Sequence, residues 1–203
     1  MFCTNNEITI MEMVVKKEKK EIRQKLLQLL LSLTKEELKR RSQNVENRLE
    51  DLPEYKKAKN VMVYYPLKGE VNILEMIRKA MRYKRFFFPV MELKSKNLRI
   101  FEVSNLDKDF ILGPYGVREP DTKKTREAVM SEIDMVIVPG LGFDRQKNRL
   151  GRGAGFYDRF LKKITSPVTK VGIAFDLQIL ENLPVNLSFD QKIDVLVSEN
   201  FII

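Results

Sequence analysis

The feature that most constrains the fold is the alternation of short apolar runs with stretches of helical spacing. The runs NVMVYYP, DMVIVPG, KVGIAF and KIDVLV are each short and apolar enough to form buried strands, and helical segments lie between several of them. DMVIVPG is almost continuously apolar, as expected of a central parallel strand. We therefore predict an α/β fold, a single three-layer domain over residues 1–203 with a central, largely parallel β-sheet flanked by helices.

Local signals predict where several elements begin and end. Residues 16–52 place apolar side chains at helical spacing, and Thr34 with Glu37 forms the pattern of an N-terminal capping box that restarts a second helix. NILEMIRKAMRYK and GFYDRFLKKI are predicted helices, while RFFFPVM and NLRIFEV are predicted strands joined by the turn-like KSKN. Residues 1–15 have neither clear periodicity nor a cap, so we expect a loosely ordered leader there.

Composition excludes several kinds of chemistry. Among 203 residues, 37 Lys and Arg outnumber 28 Asp and Glu, which favours anionic partners. Cys3 is the only cysteine and histidine is absent, so intrachain disulfides, cysteine-rich metal sites and imidazole catalysis are excluded. No signal peptide or long apolar span is present in the sequence, so we expect a cytoplasmic protein without membrane contact.

The stretch RLGRGAGFYD, residues 149–158, carries three glycines at alternate positions between two arginines and an aromatic pair. It fits neither the P-loop pattern nor the Rossmann fingerprint, because both the spacing and the flanking residues differ. Glycines let backbone N–H groups approach an anion closely, and Arg149 and Arg152 supply donors suited to phosphate oxygens. A helix starting near Gly155 would aim its positive end at the same anion.

The position of this stretch supports a binding role, although a simpler interpretation stays open. It lies just past DMVIVPG, and ligands of open α/β sheets bind outside the carboxyl ends of the strands. Asp158 is then a candidate magnesium ligand beside the phosphates. The alternative is a flexible turn followed by an ordinary acidic residue in the first turn of a helix.

The segment VPGLGFDRQKNRLGRGAGFYDRFL, residues 138–161, closely resembles the signature of the 5-formyltetrahydrofolate cyclo-ligase family, also called methenyltetrahydrofolate synthetases. In that family P-G-x-x-F-D is followed by R-L-G-x-G-x-G-Y-Y-D. The segments KKEIR, VYYPLKGEVN, GVREP and FDQKIDVLV resemble further family segments in the same order. The resemblance covers nearly the whole chain from about Lys16 onward.

The resemblance implies an enzyme that uses ATP and Mg²⁺ to convert 5-formyltetrahydrofolate into 5,10-methenyltetrahydrofolate, with release of ADP and phosphate. Chemistry of this kind depends on positioning and charge neutralisation more than on a side-chain nucleophile. The absence of histidine is therefore compatible with it.

The resemblance also implies roles for individual residues. The ATP contacts it implies are Lys19, Lys20, Arg23, Arg149, Leu150, Gly151, Arg152, Gly153, Ala154, Gly155, Phe156 and Tyr157. Arg152 and Tyr157 are the expected catalytic residues. For Lys20, as for Lys16 and Lys17, the alternative is a solvated basic helix face.

Folate and metal contacts are implied in the same way. The expected substrate contacts are Arg23, Tyr65, Glu70, Tyr115, Arg152, Gly153 and Phe156, and the expected metal ligands are Asp158 and Asp190. Glu70 suits the amino and ring N–H groups of the pterin, with an ordinary loop acid as the alternative. Tyr115 could stack on the pterin or simply pack.

Two positions depart from the family pattern. Phe156 stands where the family usually has tyrosine, which puts a hydroxyl role there in doubt. Phe189 stands where many members have histidine, directly before Asp190, which weakens the assignment of Asp190 as a ligand.

The expected partner is 5-formyltetrahydrofolate, with a polyglutamate tail as an open variant, and we expect a monomer that binds no nucleic acid. A basic nucleic-acid-binding protein is the main alternative, but acidic residues interrupt its Lys- and Arg-rich first helices and no known nucleic-acid motif is present. A fold related to sugar-phosphate isomerases or CoA transferases would share the sheet without an ATP site.

Overall fold

The computed structural model describes residues 5–164, 167–186 and 188–203. The α-helices in this part of the chain are α1 (Asn5–Leu31), α2 (Lys35–Asp51), α3 (Pro53–Lys57), α4 (Leu74–Ala80) and α5 (Phe156–Leu161). The strands are β1 (Asn60–Met62), β2 (Arg85–Glu92), β3 (Asn97–Val103), β4 (Phe110–Leu112), β5 (Arg118–Pro120), β6 (Arg126–Ala128), β7 (Met135–Val138), β8 (Gly142–Asp144), β9 (Arg149–Leu150), β10 (Thr169–Ile173), β11 (Ile179–Leu180) and β12 (Val195–Val197). Short 3₁₀ turns lie at Pro114–Gly116, Met130–Glu132 and Asp176–Gln178.

A seven-stranded sheet in the order β12-β10-β7-β1-β2-β3-β6 forms the centre of the fold. The neighbours from β12 to β2 are parallel, whereas β3 pairs antiparallel with both β2 and β6. The DMVIVPG run supplies β7, which has a parallel strand on each side. The predicted largely parallel sheet is therefore confirmed, with an antiparallel extension at one end.

Both faces of the sheet are buried, because alternate side chains of each strand enter different cores. Val61 and Val63 belong to one hydrophobic cluster and Met62 to another, all with no exposed surface. The first cluster includes Leu30 of α1 and residues of α2 and α4, and the second includes Phe160 of α5. Since side chains of a strand alternate between faces, the sheet has helices on both sides, as the three-layer prediction requires.

The N-terminal helices begin partly where the sequence predicts. Thr34 caps α2, accepting a hydrogen bond from the backbone N–H of Glu37 while the Glu37 carboxylate accepts one from the Thr34 backbone. α1 begins at Asn5, so the stretch expected to be a loosely ordered leader is helical from that residue onward. Among the described residues, no helix is long and apolar enough to cross a membrane.

Short strands that the sequence reading did not identify frame the carboxyl ends of the sheet. β4 and β5 form a separate antiparallel ribbon, and β8 pairs with both β9 and β11 in a small three-stranded sheet. Strand β9 is the first part of the RLGRGAGFYD stretch. Residues of β5 and β9 line a cleft at this edge of the sheet.

Candidate active site

A cleft of about 400 Å³ lies at the carboxyl ends of the central strands. Tyr64 and Tyr65, just past β1, line it together with Pro139 and Gly140, just past β7. Ligands bind at this edge in open α/β sheets. The predicted location of the site is therefore occupied by a real cavity of ligand size.

One side of the cleft is formed by residues 149–158, which we call the glycine loop. Gly153 and Gly155 have φ angles of 110° and 72°, in the region that favours glycine. The following helix α5 has only six residues, so it is a weaker source of positive dipole than the sequence reading assumed. The loop therefore offers bare backbone and cationic side chains more than a helix end.

Arg149 and Asp158 form a buried ion pair inside the glycine loop. Arg149 Nη2 donates to Asp158 Oδ1 at 2.7 Å, and the side chains are 2% and 11% exposed. Arg149 Nη1 also donates to the Pro139 carbonyl at 3.3 Å. Asp158 is therefore more than an ordinary acidic residue in the first turn of a helix, and it is not an isolated carboxylate available to a metal. Its carboxylate already pairs with Arg149.

Arg152 connects the glycine loop to the distant Glu70. Its Nε donates to Glu70 Oε1 at 3.0 Å, and the second carboxylate oxygen of Glu70 accepts from the Leu67 backbone N–H at 2.9 Å. The Glu70 side chain is 9% exposed, whereas that of Arg152 is 38% exposed. Arg152, expected to contact both ATP and the folate, and Glu70, expected to contact the folate, are 82 positions apart in sequence and meet in one cleft.

Helix α1 supplies two cations behind the glycine loop. Lys19 is buried and forms an ion pair with Asp190, which also accepts a hydrogen bond from the Asn186 backbone. Arg23 Nε donates to the Gly151 carbonyl at 2.8 Å. Burial lowers the pKa of Arg23, while Asp190 and Asp158 act in the opposite direction. Of the predicted pair, Arg23 thus contacts the glycine loop, whereas Lys19 pairs with Asp190, whose charge also acts on Arg23.

Tyr157 lines the cleft with a hydroxyl that is buried and has no hydrogen-bond partner among the described residues. Burial, and secondarily the charge of Glu70, raises the pKa of this phenol, so the hydroxyl stays protonated at neutral pH. A buried hydroxyl without a partner carries an energetic cost. The Tyr157 hydroxyl is therefore a buried donor without a protein partner among the described residues, and its expected catalytic role stays a prediction.

The opposite side of the cleft, which we call the apolar wall, comes from the antiparallel end of the sheet and the β4–β5 ribbon. Its residues are Pro89, Met91, Leu98, Val117 and Glu119. Tyr65 packs on Phe110 with ring centroids 4.9 Å apart, and Tyr115 is 80% exposed at the rim. An apolar surface opposite a cationic loop suits a ligand with a flat ring system and an anionic portion.

Not every predicted contact lies in this cleft. Leu150 is 2% exposed and its side chain packs with Leu26 and Leu183 in a small core, so any contact with ATP would come from its backbone, and the expected contact stays a prediction. In β9 the Leu150 side chain packs against Leu26 of α1 and does not face the cleft. Lys20 is exposed and lines no part of the cleft, as its solvated alternative predicts.

The other predicted residues lie at or beside the cleft. The substrate candidates Tyr65, Glu70, Tyr115, Arg152, Gly153 and Phe156 all line it. Phe189 contacts the glycine loop, since a Cβ placed on Gly155 would lie 2.9 Å from its ring. The sequence reading assigned no role to Glu119, although the GVREP segment that contains it was part of the family resemblance.

Asp158 and Asp190 both lie near Arg23, but each is engaged with a cation of its own. Within the described ranges, no group of three or more His, Cys, Asp and Glu side chains is arranged to hold a metal ion. Mg²⁺ is commonly held by one or two carboxylates together with substrate phosphates. Asp158 and Asp190 supply the carboxylate oxygens that such a site uses, and their role as metal ligands stays a prediction.

Fold and cleft together define a class: α/β proteins whose ligand cleft lies at the carboxyl ends of parallel strands and is lined by an arginine- and glycine-rich loop. Within this class, the chain belongs to the 5-formyltetrahydrofolate cyclo-ligase family, whose sequence pattern matches residues 15–199. This is the family that the glycine loop resembles, so the resemblance is confirmed.

Individual relatives agree with the assignment. The chain is 29% identical over 182 residues to the 5-formyltetrahydrofolate cyclo-ligase of Haemophilus influenzae, covering 89% of this chain and 97% of the relative. It is 30% identical to the Escherichia coli K12 enzyme of the same name, over 76% of this chain and 86% of the relative. The solution structure of Aquifex aeolicus 5,10-methenyltetrahydrofolate synthetase superposes with a TM-score of 0.79 at 34% identity, covering 91% of each chain.

Proposed function

We propose that the chain converts 5-formyltetrahydrofolate and ATP into 5,10-methenyltetrahydrofolate, ADP and phosphate, with Mg²⁺ as the required ion. The formyl oxygen takes the γ-phosphoryl group as ADP leaves. Nitrogen 10 of the folate then forms a bond to the activated carbon, and the C–O bond breaks to release phosphate. Family membership supports the overall conversion, and the site chemistry supports its dependence on ATP.

The observation that carries this proposal is the contact between Arg152 and Glu70. A phosphoryl transfer to the formyl group needs the anionic end of ATP and the pterin of the folate in one cavity. Arg152 belongs to the cationic loop, and Glu70 is the carboxylate suited to pterin N–H groups. Their separation of 3.0 Å supports the proposal, because groups suited to these two functions lie within one cleft.

The residues fit the groups that the reaction requires. Arg152 and Arg23, with the exposed backbone of the glycine loop, would hold phosphate oxygens through charge-assisted hydrogen bonds. Asp158 and Asp190 would hold Mg²⁺, which when bound neutralises charge on the phosphates. No side-chain nucleophile is needed, because the substrate oxygen is itself the nucleophile.

Residues of the chain then act mainly by positioning. Arg149 is locked by Asp158, which makes the base of the loop rigid before any ligand binds. Tyr157 can donate its hydroxyl proton to an oxygen of the transferring group, since that hydroxyl has no partner in the described structure. The apolar wall excludes water from the ring of the folate, which strengthens electrostatic interactions within the cleft.

We further propose that the protein works as a cytoplasmic monomer. We also propose that it accepts folates with or without polyglutamate tails, since its charge of +9 would attract the anionic tail. Size-exclusion chromatography with light scattering would test the first point. Comparing KM for mono- and polyglutamylated substrate would test the second.

The decisive experiment is a spectroscopic assay for the methenyl chromophore. Purified protein is incubated with 5-formyltetrahydrofolate, and ATP and MgCl₂ are omitted separately. The product should form only when both are present. Turnover without ATP, or without a divalent cation, would contradict the proposed mechanism while leaving the fold and family assignment intact.

A further inference from the structure

The apolar wall contains one carboxylate, that of Glu119, which has no role in the proposed reaction. Glu119 lies in β5, is 5% exposed and lines the cleft. Of the carboxylates lining the cleft, Glu70 is paired with Arg152 and Asp158 with Arg149. Within the described part of the chain Glu119 forms no salt bridge, and burial raises the pKa of its carboxyl group.

The one hydrogen bond that Glu119 accepts within the described residues leaves its second carboxylate oxygen without a protein partner. Oε1 accepts from the backbone N–H of Met91 at 2.9 Å, which fixes the orientation of the carboxyl group. Oε2 has no hydrogen-bond partner among the described residues and lies beside Gly113, where a Cβ would be only 2.5 Å away. A carboxylate accepts up to about four hydrogen bonds, so this group is oriented by the protein and can accept further hydrogen bonds from a ligand.

We propose that Glu119 is a substrate-binding residue whose carboxylate accepts a hydrogen bond from an N–H group of the reduced pterin, in addition to the contact expected from Glu70. This inference rests on the proposed function, because it requires the folate to occupy this cleft. A reduced pterin carries several N–H donors around a flat ring, and the apolar wall provides the surface for that ring. A largely buried carboxylate whose second oxygen has no protein partner among the described residues can accept this hydrogen bond and so select for a ligand that donates it.

Replacing Glu119 by glutamine tests the proposal sharply because the shape is retained. The Met91 N–H needs an acceptor, so the glutamine oxygen is fixed at the Oε1 position and its NH₂ group takes the place of Oε2. A donor then faces a donor of the ligand. We expect Glu119→Gln to bind 5-formyltetrahydrofolate about 10- to 100-fold more weakly, the usual range for a hydrogen bond to a charged group.

The structure provides a matched control in Glu46. This residue is also buried, has a pKa raised by burial, and accepts one hydrogen bond from a backbone N–H, that of Met76. It lies on α2 and lines no part of the cleft. Glu46→Gln should therefore leave the folate affinity unchanged. If both variants lost affinity, the cause would be a general effect of removing a buried carboxylate.

A second variant perturbs the same group without removing its charge. Gly113→Ala places a methyl group against Glu119 Oε2, and the flexible end of the glutamate side chain has to move. Folate affinity should fall in this variant as well, by less than in Glu119→Gln. This result keeps the proposal testable if Glu119→Gln does not fold.

Isothermal titration of each protein with 5-formyltetrahydrofolate, with and without Mg²⁺ and a non-hydrolysable ATP analogue, gives the dissociation constants. Thermal melting of the same samples reports folding. Weakened binding in Glu119→Gln with unchanged binding in Glu46→Gln supports the proposal. Wild-type affinity in a folded Glu119→Gln protein would overturn it, since Glu119 would then be structural or would act as a neutral donor that glutamine replaces.

These measurements distinguish a failure of the proposed function from a failure of the proposed role of Glu119. If wild-type protein bound the folate under neither condition, the proposed function would fall, and this proposal with it. If wild-type protein binds and turns over while the variants bind equally well, only the role of Glu119 is wrong. Steady-state data give a further check, because KM for the folate should rise more than KM for ATP.

Discussion

The two sides of the cleft treat buried charge in opposite ways. In the glycine loop, Arg149 and Asp158 neutralise each other, and Arg152 extends to Glu70. On the apolar wall, Glu119 accepts one backbone hydrogen bond and has no ion-pair partner among the residues that the structure describes. The charged groups of the loop are therefore paired within the protein, whereas the wall contains a carboxylate oxygen without a protein partner among the described residues.

The difference follows from how each side is built. The glycine loop follows the parallel half of the sheet, where helix α1 brings cations to the carboxyl ends of the strands. The apolar wall belongs to the antiparallel extension, whose side chains are mainly hydrophobic. We infer that the loop side handles the anionic part of the reaction and that the wall side recognises the ring.

The largest effect should come from breaking the ion pair inside the glycine loop. Asp158→Asn leaves the Arg149 guanidinium, with its side chain 2% exposed, without a compensating charge. Loss of one partner of a buried pair typically destabilises a protein by about 3–5 kcal/mol. Urea denaturation of the variant should show a loss of this order, and turnover should fall too.

A double variant serves as the control for this prediction. Arg149→Met combined with Asp158→Asn removes the unpaired charge, so its free energy of unfolding should be close to that of Asp158→Asn or higher. If Asp158→Asn has wild-type stability, the pair does not order the loop. The contrast between the two sides of the cleft would then be wrong.

Arg152 is expected to affect rate more than stability, because its side chain is partly exposed. Arg152→Ala removes a charge-assisted donor from the position where charge develops on the phosphoryl group. Loss of a donor of this kind costs roughly 10²- to 10³-fold in turnover. The methenyl assay at saturating substrate measures the effect directly.

Arg99→Ala is the matched control, since Arg99 also pairs with a glutamate, Glu127, but on the exposed surface of the antiparallel strands. Its turnover should equal that of wild type. A normal kcat in Arg152→Ala would assign Arg152 to the surface and remove it from the mechanism.

Two glycines with the same backbone angle allow the loop and the wall side to be compared directly. Gly155 in the glycine loop and Gly116 in the turn between β4 and β5 both have φ of 72°. Alanine in this region costs about 1–2 kcal/mol at either site. At Gly155 the new Cβ would also lie 2.9 Å from the Phe189 ring and from an Arg159 nitrogen, whereas at Gly116 nothing lies within 4 Å.

Gly155→Ala should therefore lower the free energy of unfolding by more than Gly116→Ala does, with the difference reporting packing around the loop. Urea denaturation of both variants provides the measurement. Equal losses would mean that Phe189 and Arg159 yield without cost, so the loop is less rigid than its contacts suggest.

The sheet could be predicted from sequence because its signal is local. DMVIVPG has the composition of a doubly buried strand, and the structure uses it as β7 between two parallel neighbours. The Thr34 capping box is likewise encoded within four residues. The β4–β5 ribbon was missed because its strands have three residues each and depend on tertiary contacts for their conformation.

The candidate site divides in the same way. The glycine loop was identified because its residues are contiguous and resemble a family signature, but the partners of its charged groups were not. That Asp158 pairs with Arg149, and that Arg152 reaches Glu70, depends on how distant segments fold together. Glu119 had no local signal for a binding role, since its burial against Met91 comes from packing between β5 and β2.

The smallest expected effect is on the pH dependence of stability. It compares Glu119, which lines the cleft, with Glu46, which is buried elsewhere. Glu46 and Glu119 both have pKa values raised above the ordinary 4.5, chiefly by burial. Glu50 and Glu75 raise the pKa of Glu46 further, while Lys79 and the Met76 N–H oppose this shift. For Glu119 only the Met91 N–H opposes burial.

Each raised pKa means that, between the unfolded-state pKa of about 4.5 and the higher folded-state pKa, the folded protein binds more protons than the unfolded chain. Stability is therefore highest below about pH 4.5, as far as these groups are concerned, and falls as the pH rises through each folded-state pKa. Glutamine at either position removes one such contribution, so the decline between pH 4 and pH 8 should become shallower in Glu46→Gln and in Glu119→Gln. Urea denaturation across this range measures the slopes.

Folate should distinguish the two positions. A ligand N–H group that binds Glu119 favours its ionised form, so saturating 5-formyltetrahydrofolate should reduce the Glu119 contribution to the pH slope and leave that of Glu46 unchanged. The comparison is the wild-type slope minus the variant slope, with and without folate. If folate alters both differences equally, the effect is a general stabilisation by binding, and the apolar wall has no special acceptor.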